Sequence, residues 1–239
     1  MSGNAEVDTL LALITQSATA VVMEYQKYGQ DVPSLSSAAE HPIDSASDVL
    51  QLRKALRLLE GACNHLCDML EAPVTSVVKR TIRFEPVLMG VAVEAKVADT
   101  LEQHPDGLHI SKIAEVTNVP AHKLSKVLRV LATRNCFLEV DTDTYANNRI
   151  SYALRSSSTT KAHDYTLVNQ SGHLATTQYW EYLQNPDFGP YDTVNKSAWT
   201  YARRVIGGGT YPEQDNFFGW YAQQVRPVTP AVSPQLHDP

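Results

Sequence analysis

The stretch 107–151 constrains the fold of this chain more than any other. Ser111 can cap a short helix over 112–117, and Asn118 suits the left-handed backbone position that ends it. Pro120 stands near the start of a second helix, whose Leu124, Val127, Leu128 and Leu131 fall on one face, and Asn135 can close it. Two strand-like runs follow, 137–140 and 144–146, joined by Asp141-Thr142-Asp143, a hairpin signal. Upstream, Pro86 opens a helix carrying Val87, Leu88, Val91, Val97 and Leu101, which stops at the turn cluster His104-Pro105-Asp106-Gly107. Helix, short helix, turn, helix and a short two-stranded wing is a winged-helix arrangement, within a chain that reads as mainly α.

Helical periodicity also dominates the flanks. Over about 7–28, Val7, Leu10, Leu11, Ile14, Ala18, Val21, Val22 and Tyr25 make one apolar face, which Gly29 ends. After a Ser/Ala/Pro-containing connector, 33–47, a second helix is expected over about 48–71. Its stripe is Val49, Leu52, Leu56, Leu59, Cys63, Leu66 and Leu70, with Ser45 or Ser47 as cap and Pro73 just beyond its end. Residues 1–72 hold ten acids and four bases, the whole chain's imbalance. Two long amphipathic helices predict either a partner-facing surface or packing onto their own domain. Beyond the wing, helical spacing resumes over about 161–184 with Tyr165, Val168, Leu174, Trp180 and Leu183, and 186–190 breaks it. Residues 195–224 are rich in aromatics around Gly207-Gly208-Gly209, and 225–239, with four prolines and no period, read as a flexible tail.

Composition excludes several classes. The 239 residues are 43% apolar and 19% charged, enough for a buried core. No uninterrupted apolar run reaches the ~18 residues of a membrane span, and the N-terminus lacks the basic start and apolar core of a signal peptide. Three cysteines make no disulfide framework, and Cys63 and Cys67 lie one helical turn apart, so a reducing cytoplasm and no membrane partner are expected. The eight histidines never take metal-ligand spacing, and His65 points away from the face that Cys63 and Cys67 share, so no metal is expected. His163-Asp164 and Ser171-Gly172-His173 hold nucleophile and base types with no third partner, and read as surface. No catalytic residue is assigned.

A DNA-reading winged helix surrounds its second motif helix with basic residues. That helix offers His122, Lys123, Lys126, Arg129 and Arg134, yet 108–150 holds six bases against four acids in a chain of net charge −6. Phosphate affinity needs many neutralised charges, so no nucleic-acid partner is expected, and a DNA-binding regulator is the alternative reading.

Three runs carry a family likeness: Gly107-Leu108-His109-Ile110-Ser111-Lys112-Ile113-Ala114-Glu115, then Leu124-Ser125-Lys126-Val127-Leu128-Arg129-Val130-Leu131-Ala132-Thr133-Arg134, then Tyr145-Ala146-Asn147-Asn148-Arg149-Ile150-Ser151. Together they resemble the plant- and fungal-type small-molecule O-methyltransferases, and the fungal branch in particular, over roughly 80–222. The resemblance implies an intertwined homodimer built from the N-terminal helices and winged helix, which also cap the substrate pocket of a Rossmann-like domain that binds S-adenosylmethionine. On that footing 1–79 is a helical dimerisation region, 80–155 a winged-helix dimerisation domain, and 156–224 substrate-capping and linker helices ahead of the 225–239 tail.

The family's catalytic domain needs a glycine-rich loop after a buried strand, an acidic residue ending the next strand, and a histidine base. Val205-Ile206-Gly207-Gly208-Gly209-Thr210 looks superficially like that loop. Arg203 and Arg204 stand where a buried parallel strand should be apolar, Tyr211-Pro212 follows where glycine and close helix packing belong, and no apolar strand ending in Asp or Glu comes about twenty residues on. It reads as a turn, and no cofactor is expected on this chain, S-adenosylmethionine being that of full-length relatives. Phe217-Phe218-Gly219-Trp220-Tyr221 resembles the aromatic helix upstream of the catalytic domain, and Leu167-Val168-Asn169-Gln170 a stretch that touches the acceptor. Carried over, Val168, Asn169, Phe218 and Trp220 are candidate substrate-lining residues; core packing for the three apolar ones and a surface or capping role for Asn169 are the other reading.

The expectation is thus an O-methyltransferase-like chain that keeps the dimerisation and capping part and does not transfer methyl groups alone. It would pair with itself or with a full-length O-methyltransferase, and an aromatic small molecule is its candidate ligand. An incomplete gene product and a cofactor-independent metabolite-binding protein stay open beside it. Without a catalytic domain to cover them, Phe217, Phe218 and Trp220 are expected to leave an apolar patch.

Overall fold

A computed structural model describes residues 3–29, 31–44, 46, 49–81, 84–158, 162–207 and 216–224. The chain forms two compact units, Met1–His163 and Asp164–Pro239. The expected tail over 225–239 and the residues Gly208 and Gly209 lie outside the described residues.

The first unit begins with a helical hairpin. Asn4 caps α1 (Ala5–Gln26): its side chain accepts from the backbone N–H groups of Glu6 and Val7, and Glu6 and Asp8 sit in the first turn, where the helix dipole favours negative charge. α1 packs along α2 (Leu50–Leu70). No side chain caps α2, and the expected caps, Ser45 and Ser47, lie outside the described residues. Pro73 does more than follow the end of α2. It opens a further helix, α3 (Pro73–Thr81), where proline's fixed φ and missing N–H are harmless. The connector folds back through a 3-10 turn, Pro42–Asp44, and places Ile43 in a small core with Val49 and Leu52, against which Val21 and Tyr25 pack.

The hairpin buries little of its apolar surface. Leu10 is the buried apolar residue of α1, whereas Leu11, Val22 and Met23 are exposed, as are Leu56 and Leu58 of α2 and Val74, Val77 and Val78 of α3. By length and composition α1 is apolar enough to cross a membrane, a test that core helices and leader segments pass as well.

Sequence spacing predicts one helix from Pro86 through Leu101. Instead there are two, α4 (Glu85–Glu94) and α5 (Val97–Glu102), because Lys96 takes a left-handed φ of 52° and turns the chain between them. Gly107, at φ 106°, then makes a turn open to glycine; a Cβ there would lie 2.7 Å from Val140 Cγ2. This turn delivers a short strand the sequence reading missed, β1 (Leu108–His109). α6 (Ile110–Thr117) follows, capped by the His109 ring rather than by Ser111, and Asn118 ends it at φ 55° as expected. α7 (Ala121–Thr133) buries Leu124, Leu128 and Leu131 completely, each worth about 1.5–3 kcal/mol relative to exposure.

Past Asn135 (φ 61°) and Phe137 (φ 71°), β2 (Leu138–Asp141) and β3 (Thr144–Ala146) form the wing hairpin. The sheet is therefore three-stranded and antiparallel, in the order β1-β3-β2, rather than two-stranded. Leu108 pairs with Tyr145 and Leu138 with Ala146, with a bulge between Glu139 and Asp141. The fold as a whole is mainly helical, as the sequence predicts.

The run Asn147-Asn148-Arg149-Ile150-Ser151 locks this core together. Asn148 is fully buried and caps α8 (Arg149–Tyr152), accepting from the N–H groups of Ile150 and Ser151 while Ser151 Oγ accepts from its own N–H. Its Nδ2 donates to the carbonyls of Asn135 (2.7 Å) and Phe137 (3.4 Å), the two left-handed residues ahead of β2. Asn147 Nδ2 donates to Ala98 O of α5, and its Oδ1 accepts from Ser151 Oγ.

The second unit carries the remaining helices: α9 (Ala162–Thr177), α10 (Tyr179–Gln184), α11 (Ala198–Gly207) and α12 (Phe217–Gln224), with a 3-10 turn at Val194–Lys196. The helical stretch expected over 161–184 is interrupted at Gln178, which separates α9 from α10.

Candidate functional site

The second unit is organised around two groups of aromatic rings. On α11, Trp199 and Ala202 share a face by their spacing of three, and both are buried together with Ala175 of α9. Phe217 and Trp220, at the same spacing on α12, pack against them. The Trp199 ring lies 5.4 Å from Trp220 and 5.7 Å from Phe217, centroid to centroid, the latter edge-on. The Arg203 guanidinium stands 4.8 Å from the Trp199 ring and 5.8 Å from that of Trp220. In the second group Tyr201 lies 5.3 Å from Phe188 and 6.1 Å from Tyr182. Offset rings and cations over ring faces are suited to gripping a flat aromatic molecule.

The four residues named from sequence separate here. Trp220 belongs to the first ring group and is half-buried. Phe218, one residue on from Phe217 and so about 100° around the helix, is 66% exposed and meets only the edge of Phe217 among the ring contacts. It is therefore not a core residue, and it alone keeps most of the apolar exposure expected of the segment; Phe217 and Trp220 are partly covered. Val168 is buried and lies one residue from Asn169, which is exposed, so the helix turns the two to different faces. Val168 shares the face of Ala175, seven positions on, and so points to the side of α9 that joins the Trp199 cluster. Trp199 and Arg203, absent from that set of four, hold the ring group together. Their spacing of four on an aromatic-rich helix was the available signal.

In the winged helix, the outward-facing basic residue Arg129 is already occupied. Its guanidinium donates to Asp143 Oδ1 (2.8 Å) and Glu139 Oε1 (3.2 Å) of the wing, and Ser125 Oγ donates to Asp143 (2.7 Å). The hydrogen bond from Arg129 holds the Glu139 carboxyl below its ordinary pKa and raises that of Arg129 itself, while burial raises that of Tyr145, whose hydroxyl donates to Glu139. Acidic wing residues thus neutralise Arg129, one of the positive charges that a DNA reader would present free.

At the glycine run the described residues are helical. Val205, Ile206 and Gly207 close helix α11 rather than ending a buried strand, and the three-stranded antiparallel sheet belongs to the wing. A strand-to-loop-to-helix cradle for a nucleotide requires a parallel strand at that place. His163 Nδ1 bonds to Leu154 O, and among the described residues no three His, Cys, Asp or Glu side chains group as a metal site would need. Cys136 is buried, its thiol pushed up to about 12 by desolvation, and so is inert as a nucleophile.

No protein-family profile matches the chain. A search of curated proteins finds 3-O-methyltransferase 2 of Phanerochaete chrysosporium, 33% identical over 231 residues that make up 96% of this chain and 49% of the relative. It also finds the O-methyltransferase tpcA of Aspergillus fumigatus, 32% identical over 151 residues, 62% of this chain and 31% of the relative. Among solved structures, LaPhzM overlaps 64% of this chain and 40% of its own, with a TM-score of 0.48 and 19% identity. The chain spans about half the length, or less, of these curated relatives. By its sequence, aligned almost end to end with part of a longer relative, this chain belongs with the fungal O-methyltransferases.

Proposed function

We propose that these 239 residues act as the dimerisation and acceptor-capping part of a fungal-type O-methyltransferase and do not by themselves transfer methyl groups. The observation that carries this reading is the alignment, which uses 96% of this chain yet 49% of the relative. The helical end of α11 at Gly207, where a nucleotide loop would need a strand, supports it. In the complete reaction a methyl group passes from S-adenosylmethionine to an acceptor oxygen; the role proposed for this chain is to hold and cover the acceptor, a contribution of proximity and water exclusion.

The exposed apolar faces of α1, α2 and α3 support pairing, with a second copy of this chain or with a full-length O-methyltransferase. The acceptor, in this reading, is an aromatic molecule held at the Trp199 cluster, where Trp220 and Phe217 pack and toward which Val168 faces; Asn169 and Phe218 lie off that face and are left out of the contact. No specific observation favours the nucleic-acid alternative, since Arg129 is engaged by the wing.

The test is calorimetric titration of the purified chain with S-adenosylmethionine, with the oligomeric state measured by light scattering on the same preparation. A folded dimer that gives no heat is expected. Stoichiometric micromolar binding would refute the reading and identify a compact methyltransferase. A strict monomer that gives no heat would refute the pairing half of it.

A further inference from the structure

The connector 31–44 does more than join α1 to α2, because its residues are tied to the winged-helix core. Leu35 O accepts from Arg149 N at 3.0 Å, Asp44 Oδ1 accepts from Arg149 Nη2, and Glu40 Oε1 accepts from Arg155 Nη2 at 3.3 Å. Ile43 of the same segment is buried with Val49 and Leu52, and Val21 and Tyr25 of α1 pack against that group. One short segment thus fastens the helical hairpin to α8 and to the turn that follows it.

His41 stands within this strap, 6% exposed, its ring centroid 5.1 Å from that of Tyr25. His41 Nδ1 accepts from Ile43 N at 3.1 Å. A ring nitrogen that accepts carries no proton, so the imidazole is neutral and its proton is on Nε2. Nε2 itself is buried and has no partner. A second proton would set an N–H on Nδ1 against the N–H of Ile43. It would also leave a buried positive ring without an acceptor at either nitrogen. The charged groups that adjoin the ring are already matched. Glu40, the preceding residue, is paired with Arg155. Asp44, whose Oδ2 accepts from His41 N at 2.9 Å, is paired with Arg149. Tyr25 is the titratable group that α1 brings to the ring.

We propose that 31–44 is a proton-sensitive strap, closed while His41 is neutral and opened when the ring takes up a second proton. Opening breaks the 3-10 turn Pro42–Asp44, withdraws Ile43 from Val49 and Leu52, and frees the hairpin from α8. The open strap binds one proton more than the closed one, so closure weakens as pH falls through the ordinary histidine value of about 6.5. Ordinary carboxylates titrate near about 4, well below that window. The strap belongs to the first unit and stands whether or not the chain takes part in methyl transfer.

The experiment is amide hydrogen exchange of the full chain at pH 7.5, 6.5 and 5.5, read by mass spectrometry on peptides covering 31–44. Rates are corrected for the intrinsic pH dependence of exchange, and peptides from α7 serve as the control. Strap opening is expected to rise about tenfold from pH 7.5 to 5.5, the ratio that uptake of one proton near 6.5 gives, with α7 unchanged. His41→Asn does not titrate, and its side-chain oxygen can accept from the N–H two residues on. That variant is expected to hold strap opening within about twofold over the same range. A long-range nitrogen-15 NMR spectrum of the wild-type imidazoles at pH 7.5 is expected to show His41 as the Nε2–H tautomer. Both wild-type readouts stand even where the variant loosens the turn.

Strap exchange that does not respond to pH overturns the proposal, as does a response that persists in His41→Asn. An Nδ1–H tautomer at pH 7.5 removes the hydrogen bond on which it rests. A response shared equally by α7 would show loosening of the whole unit instead of a strap, and overturns it too.

Discussion

Replacing Asn148 by alanine tests the account of the winged-helix core at its most concentrated point. The side chain is fully buried and serves both directions: Oδ1 accepts from Ile150 N at 3.0 Å and Ser151 N at 2.9 Å, while Nδ2 donates to Asn135 O at 2.7 Å. Losing a helix cap costs about 0.5–2 kcal/mol. Leaving the Asn135 carbonyl buried without a donor costs about 1–3 kcal/mol more. The longer contact to Phe137 O, 3.4 Å, adds little. The expected loss is thus roughly 2–4 kcal/mol, or some 5–15 °C in the midpoint of a unit this size. Asn148→Ser keeps the cap and loses the clamp on the left-handed segment, so it should fall between wild type and alanine.

Urea unfolding followed by far-ultraviolet circular dichroism should shift to lower denaturant in the variants. An alanine variant within about 0.5 kcal/mol of wild type would refute the reasoning, as would a serine variant no better than alanine.

Five further outcomes are expected. The Glu139 carboxyl, held below its ordinary value by Arg129, stabilises the wing at neutral pH; that contribution is complete above the unfolded value near about 4.3 and is lost as pH falls through the lower folded one. A carboxyl chemical-shift titration that places Glu139 at or above the ordinary value would contradict the clamp. A thiol reagent at pH 8 should label the exposed Cys67 and leave Cys136 untouched until the unit unfolds, as mass spectrometry of the labelled protein would show. Gly107→Ala should cost about 1–3 kcal/mol, because φ is 106° and Val140 Cγ2 would be 2.7 Å away; an unchanged melting point would remove the argument for that turn. Phe218→Ser should leave stability within about 0.5 kcal/mol and reduce self-association at high concentration, which static light scattering measures. Trp199→Ala, by contrast, removes the buried centre of the ring group and should cost about 3–5 kcal/mol.

How legible the protein is in its sequence differs from element to element. The leucines of α7 and the asparagine that ends α6 could be read directly, because helical periodicity and left-handed backbone preference act over neighbouring residues. The cap of α6 could not, since a histidine ring took the place a serine was expected to fill. Splitting the predicted 86–101 helix required Lys96 in a conformation that its residue type does not favour. In the candidate site, the aromatic richness of 195–224 was plain, but the sorting of Phe218 to solvent and Trp220 to the Trp199 cluster was not. Two residues on one short helix are assigned their surroundings by the partner helix, not by their own pattern.

The run Asn147-Asn148-Arg149-Ile150-Ser151 shows the same division most clearly. It carried the family resemblance, and although Asn is a favoured N-cap residue, the sequence reading placed no helix there. Only the tertiary structure decided that the same side chain fastens the left-handed segment ahead of β2 and that its neighbour fastens α5. Local sequence chooses backbone conformation through interactions a few residues long. The third strand and the clamp from Asn147 to α5 join residues far apart in the chain, and only the packed fold brings them together.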